Sequence, residues 1–309
     1  MGKHYFQPFL TALLLIVYTA NATAVEDGKD QGAWGVSLDY KFQSWEPDDI
    51  FGANVLTTGL NLIGLQLGTG GNTSGFNPVL RYEIAPGEDS AAQEELVQLA
   101  DDEASGWERL FADLKWTFDS GSSFSIIFDR QIYLTSVQTN RDYWYFDGGN
   151  VTLLIPGDIV RNSTVMEDLQ LLYGSPLLQY GIYSLSYEKP FSTDIQNGQI
   201  GIYRTELKSV GFMLKSEHTK GIVTIGGSYK FGLVSDLTIG ASSSAAALLG
   251  EFDDSLDFSE FALSVEARPY RGFVDISIGV DYKIRSMSGD IQLTRDDISS
   301  LYINLSKSF

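Results

Sequence analysis

The chain has 309 residues, no cysteine, and 40 Asp and Glu against 21 Lys and Arg, a formal net charge of −19. That excludes disulfides and any Cys-borne lipid. It also speaks against nucleic acid, whose partners carry basic patches, and against docking on anionic lipid by charge. Glycine, at 31 residues, and aromatics, at 13%, suit strands and turns more than helices.

Residues 1–24 read as a secretory signal. Lys3 and His4 give a basic start, Phe9 to Val17 is apolar but for Thr11, and Ala22-Thr23-Ala24 fits a small-x-small cleavage site. The apolar run is too short to cross a bilayer as a helix, which takes about 20 residues. Lys3 is the one Lys or Arg in this segment, so the expected mature domain, 25–309, keeps 20 bases against 40 acids. No Pro- or Ser-rich linker divides it, which predicts a single domain.

Trp34, Val36, Leu38, Tyr40 and Phe42 alternate with Gly35, Ser37, Asp39, Lys41 and Gln43. A period of two places these sets on opposite faces of a strand. A second strand over 55–67 slips between Leu62 and Ile63, where a bulge would flip every later side chain. Gly68 to Gly75 reads as a turn. A third strand sets Leu80, Tyr82 and Ile84 against Arg81 and Glu83. In 88–104, Leu96, Leu99 and Ala100 fall at helical spacing among acids, which predicts a short acidic helix in a long loop. Leu110, Ala112, Leu114, Trp116 and Phe118 then alternate with Arg109, Asp113, Lys115 and Thr117. A tight turn at 119–122 leads into Phe124, Ile126 and Phe128. Arg130 falls in the apolar register, which predicts a bulge or a strand end.

From Gln138 to Ser175 the pattern is irregular. It holds the run Tyr143-Trp144-Tyr145-Phe146 and a helical spacing over Met166, Leu169 and Leu172. A connection this long is usually functional or disordered. Strands follow at 177–188, 198–214, 221–231, 236–249, 258–267, 273–284 and 300–309. In the clearest of these, Val274, Ile276, Ile278, Val280, Tyr282 and Ile284 oppose Asp275, Ser277, Gly279, Asp281 and Lys283. The total is about twelve strands. An even number lets both chain ends share a side. Short turns at 119–122, 232–235 and 268–272 alternate with long connections at 86–106, 137–176 and 285–299. Connections near 188–197 and 215–220 break that alternation.

The last strand sets Leu301, Ile303, Leu305 and Phe309 on one face and Asn304, Ser306 and Ser308 on the other. This ending resembles that of Gram-negative outer-membrane β-barrels, whose final strand alternates and stops on Phe. Lys307 departs from it, since the class prefers an apolar residue there. The resemblance implies an all-β, antiparallel, up-and-down transmembrane barrel, with helical segments confined to long extracellular loops. It implies bacterial outer-membrane localisation, lipid around the barrel, and the barrel-assembly machinery as a partner that reads Leu301, Ile303, Leu305 and Phe309. A soluble β-sandwich would also alternate; the signal, the terminal Phe and the alternating turns favour the barrel.

In the barrel register, Asp39, Lys41, Arg81, Glu83, Arg109, Asp113, Lys115, Glu266, Asp275, Asp281 and Lys283 face the lumen. Buried charges survive only when paired or hydrated, so the lumen is either wet or filled with ion pairs. Other chemistry is sparse. His218 is the one histidine after the signal, beside Ser216 and Glu217. A Ser-His pair could serve an outer-membrane hydrolase, but this run falls at a predicted loop. One histidine cannot build a multi-His zinc site. Asp253-Asp254 lacks a calcium loop, and Gly70-Gly71 lacks the Lys of a phosphate loop. No cofactor or metal is expected. The reading is a narrow channel for small solutes or ions. A sealed barrel like a solitary autotransporter translocator comes second, on strand count and size alone, and a hydrolase third. Asp48, Asp49, Glu88, Asp89, Glu94, Glu95, Asp101, Asp102, Glu103, Asp253 and Asp254 would ring the outer mouth and draw cations.

Overall fold

The computed structural model describes residues 34–47, 58–69, 74–88, 97–99, 105–139, 142–147, 150–195, 199–239, 252–255, 257–270, 274–288 and 293–308. The expected signal at 1–24, Phe309 and most of the mouth acids lie outside them. Sixteen strands occur in order among the described residues. They are β1 (Trp34–Pro47), β2 (Thr58–Thr69), β3 (Gly75–Glu88), β4 (Val97–Leu99), β5 (Ser105–Thr117), β6 (Ser123–Thr139), β7 (Tyr143–Asp147) and β8 (Asn150–Leu154). Then come β9 (Ile159–Ser175), β10 (Leu178–Ile195), β11 (Gln199–Lys220), β12 (Val223–Ile239), β13 (Phe252–Ser255), β14 (Asp257–Tyr270), β15 (Asp275–Ser288) and β16 (Leu293–Ser308).

Twelve of them close into a barrel. Each pairs antiparallel with two neighbours, and the ring is completed where β1 meets β16. Closure leaves no unpaired sheet edge, the condition for a sheet to stand in hydrocarbon. The short β4, β7, β8 and β13 sit outside the ring on the far reaches of β6, β11 and β12. The start of β1, the end of β16, the end of β2, the start of β3, the end of β14, the start of β15 and the turns 118–122, 176–177 and 221–222 share one end, the turn end. The other is the loop end. Positive φ at Gly121 (81°) and Gly221 (64°) lets the chain reverse there in so few residues.

Alternation sorts the side chains. On β1, Leu38, Tyr40 and Phe42 stand exposed while Ser37, Asp39, Lys41 and Gln43 are buried. The same holds around the ring, so large apolar residues cover the outside, among them Trp116, Ile126, Phe212, Val280 and Leu301. Trp34, Phe76, Trp116 and Tyr180 lie on this face near the turn end, where aromatic girdles form in membrane barrels. Polar residues end the band toward the loop end. Arg130 and Glu167 form an outward ion pair at 3.1 Å. Arg130 is seven residues from Ser123, or about 18 Å up for strands tilted near 40°.

The twelve strands are not the expected twelve. The irregular stretch with helical spacing is β9, where Met166 and Leu172 point inward and are buried while Leu169 points out. Apolar residues on both faces erase the alternation. Conversely, 221–231 and 236–239 belong to one strand, β12. The expected turn at 232–235 is a bulge: Gly211 pairs Gly232 and Val210 pairs Val234, so Leu233 is extra and faces out beside Val234. Two other expected irregularities are absent. Register runs unbroken through Leu62 and Ile63, and Leu62 is simply an apolar inward residue. It runs unbroken through Arg130 as well, whose pairing with Glu167 explains a charge in the apolar series. Residues 188–195 and 215–220 are strand, and so are 285–288 and 293–299, so the expected long connection at 285–299 shrinks to 289–292 and the one between β10 and β11 to 196–198. The expected short-long alternation does not hold all round the ring. The expected acidic helix lies mostly outside the described residues. Within it, Val97–Leu99 is strand, and no helix occurs among the described residues.

Candidate functional site in the barrel lumen

The inward side chains form layers. Mid-barrel is a charged belt. On one side it is a chain along neighbouring strands. Arg81 lies 3.1 Å from Asp39 and also contacts Glu83. Glu83 accepts from Arg109 at 3.1 Å, and Arg109 donates twice to Asp129 at 2.8 Å. Asn304 on β16 donates to Asp39, and Lys41 lies 3.8 Å from Asp281.

The other side runs along β12, β14 and β15 and reaches across the lumen to β9. Lys230 on β12 contacts Asp168 on β9 and lies 3.0 Å from Glu260 on β14. Arg285 on β15 donates to the second oxygen of Glu260 at 2.9 and 3.1 Å and reaches Met166 Sδ, on β9, at 3.0 Å. Strands β9 and β15 are nearly opposite in the ring, so this contact spans the barrel. Arg285 stacks 5.3 Å from the Tyr187 ring, and Lys230 lies 5.4 Å from the Tyr183 ring. Tyr183 in turn bonds Ser209, which bonds Ser235.

Toward the loop end the next inward residues turn apolar. Glu83 is followed by Ala85, Arg109 by Trp107, Asp168 by Met166, Glu260 by Phe258 and Arg285 by Met287, all five buried. With Leu185 and Leu207 they form a collar above the belt.

Toward the turn end the lumen opens into a cavity of about 210 Å³. Its walls carry Lys41, Arg109, Lys215 and Lys283 against Glu217 and Asp281, among small residues such as Gly226, Ser264 and Ser300.

Of the residues named from the sequence, Asp39, Lys41, Arg81, Glu83, Arg109 and Asp281 meet in the first chain. Lys283 stands beside the second, 4.0 Å from Glu260. Asp113, Lys115 and Asp275 lie nearer the turn end, and Glu266 accepts from Arg268 and Tyr302 there. The lumen-facing set read from the sequence lacks Asp129, Asp168, Glu260 and Arg285, and also Lys230, although the Tyr229-Lys230-Phe231 run already turns that lysine inward. Asp129 and Glu260 alternate with plain apolar runs, so counting inward positions would have found them. Leu301, Ile303 and Leu305 are exposed on the outer face. The Ser216 hydroxyl donates to the Leu177 carbonyl at 2.8 Å rather than to His218.

A closed ring, an apolar exterior and a charged interior define the protein as a bacterial outer-membrane β-barrel. No family model matches the sequence, and no curated protein matches it. Solved structures of similar shape include the translocator domain of autotransporter NalP from Neisseria meningitidis, with 10% identity, 97% of each chain covered and a TM-score of 0.45. The β domain of the Bordetella autotransporter BrkA has 12% identity and a TM-score of 0.41, over 90% of this chain and 100% of that one. The Pseudomonas putida toluene transporter TodX has 10% identity and a TM-score of 0.39, over 91% of this chain and 90% of that one. At these scores the class rests on the barrel itself.

Proposed function

We propose that the protein is a narrow outer-membrane channel for small polar solutes and ions, with its turn end in the periplasm and its loop end outside. The observation that carries this is the polar cavity of about 210 Å³, which starts at the turn end beside Glu217 and Gly226 and rises past Lys41 and Lys283 to Gln43 and Gln131. Twelve strands enclose a lumen between the filled eight-stranded barrels and the open porins, so the bore depends on what side chains leave free. The outer mouth draws cations: Glu88 ends β3 and Asp253 and Asp254 lie on β13, with the other acids on the intervening connections. Residues 1–24 direct export, and Leu301, Ile303, Leu305 and Phe309 present the last strand for assembly. Deleting Phe309 then lowers the fraction of heat-modifiable barrel recovered from outer membranes; unchanged recovery counts against that role.

The contacts across the belt favour a second reading, a sealed barrel. Planar-bilayer currents separate the two. The channel reading expects small unitary currents that grow in Met166→Ala, because its partner Arg285 then loses its contact on the far wall. Silence in both proteins supports the sealed barrel.

A further inference from the structure

We propose that the turn-end cavity is a binding site for a small oxyanion, held between Lys41 and Lys283. The belt leaves these two lysines loosely partnered. Lys41 lies 3.8 Å from Asp281 and Lys283 4.0 Å from Glu260, both longer than a hydrogen bond. Glu260 is already engaged, one oxygen 3.0 Å from Lys230 and the other accepting from Arg285 at 2.9 Å. On that side Lys230 and Arg285 take up the two oxygens of Glu260, Lys230 also contacts Asp168, and Lys283 is left with the longest contact of the three. Arg109 also lines the cavity, but Glu83 and Asp129 engage it from behind.

Space lies in front of the two lysines. Ser264 and Ser300 keep the walls short, and at Gly226 a Cβ would meet Ser264 Oγ at 2.6 Å. The cavity of about 210 Å³ therefore takes one oxyanion with several waters, at about 30 Å³ per water. Lys215 nearer the opening adds a third positive charge, and Glu217 and Asp281 oppose it. Charge-assisted bonds from ammonium to oxyanion are the strong ones in such a partly enclosed place. The two ends of the lumen then differ in sign: acids at the outer mouth, a cationic cup at the turn end.

The proposal adds a ligand to the channel reading but does not need current to flow, so the two fail separately. The test is phosphorus NMR line broadening of inorganic phosphate titrated onto the barrel in a phosphate-free detergent, with folding checked by heat-modifiable gel mobility. Wild type broadens the phosphate line. Lys283→Gln and Lys41→Gln each weaken binding roughly tenfold or more, the loss expected for one charge-assisted hydrogen bond. Lys208→Gln, on the outer face and paired with Glu206, keeps wild-type binding. Absence of broadening in folded wild type, wild-type binding in the two lumen variants, or an equal loss in Lys208→Gln would overturn the site.

Discussion

The two sides of the charged belt solve the same problem differently. Along β1, β3, β5 and β6, acids and bases form a linked chain in which Arg81, Glu83 and Arg109 each have two ionic partners. Arg109 holds both Glu83 and Asp129, and Arg81 holds both Asp39 and Glu83. In the second cluster one carboxylate does most of the pairing: Glu260 on β14 faces Lys230, Lys283 and Arg285 on the strands to either side, and the reach across the lumen is left to Lys230 with Asp168 and Arg285 with Met166. The wall chain is redundant, while the crossing cluster hangs on a single residue. Burying charge costs several kcal/mol per ion unless partners compensate, so redundancy decides how each side answers to damage.

The sharpest break is Glu260→Gln. It takes the shared carboxylate from Lys230, Lys283 and Arg285 and leaves Lys230 with Asp168, and losing one partner of a buried pair costs about 3–5 kcal/mol. Urea unfolding of the barrel in lipid vesicles, followed by tryptophan fluorescence, measures it. Next comes a control on the lipid face. Val280→Arg should cost about 2–4 kcal/mol at mid-depth, whereas Ser277→Arg, on the inward face of the same strand, should cost less; the reverse order would invert the register. Glu83→Gln should be milder than Glu260→Gln, about 1–3 kcal/mol, because Arg81 keeps Asp39 and Arg109 keeps Asp129. Equal losses for the two glutamates would erase the distinction between chain and cluster. The smallest effect belongs to Arg130→Ala. Its pairing with Glu167 is half-exposed at the outer rim and worth about 0–1 kcal/mol.

The same contrast governs what the sequence discloses. Wall-chain residues sit on strands with one oily face and one polar face, so Asp39, Lys41, Arg81, Glu83 and Arg109 stand out. The crossing cluster sits where that code fails. Met166 and Leu172 point inward on β9 and mimic a helical spacing. Leu233 adds a residue to β12 and mimics a turn. Arg285 lies one residue past Ile284, where the plain alternation of β15 ends. These inward apolar residues are the collar and packing of the lumen. An interior that is oily on one level and charged on the next cannot be read by alternation alone. The strand total agrees only because β9 escapes the pattern while β12 divides in two.

The ring has twelve seams, and eleven join barrel strands that follow one another along the chain. The twelfth, β1 with β16, brings together residues such as Asp39 and Asn304 that are 265 positions apart. Its register runs without a break from Gly35 with Ser308 to Pro47 with Asp296. Hairpins can form one after another at little entropic cost, but this last seam must search over nearly the whole chain. Until it zips, two long edges stay unpaired, and hydrocarbon does not tolerate them. Insertion into hydrocarbon and closure of this seam are therefore coupled. A circular permutant that links residue 308 to residue 34 and opens the chain at 121–122 makes β1 and β16 a hairpin. It hands the long search to β5 and β6 instead.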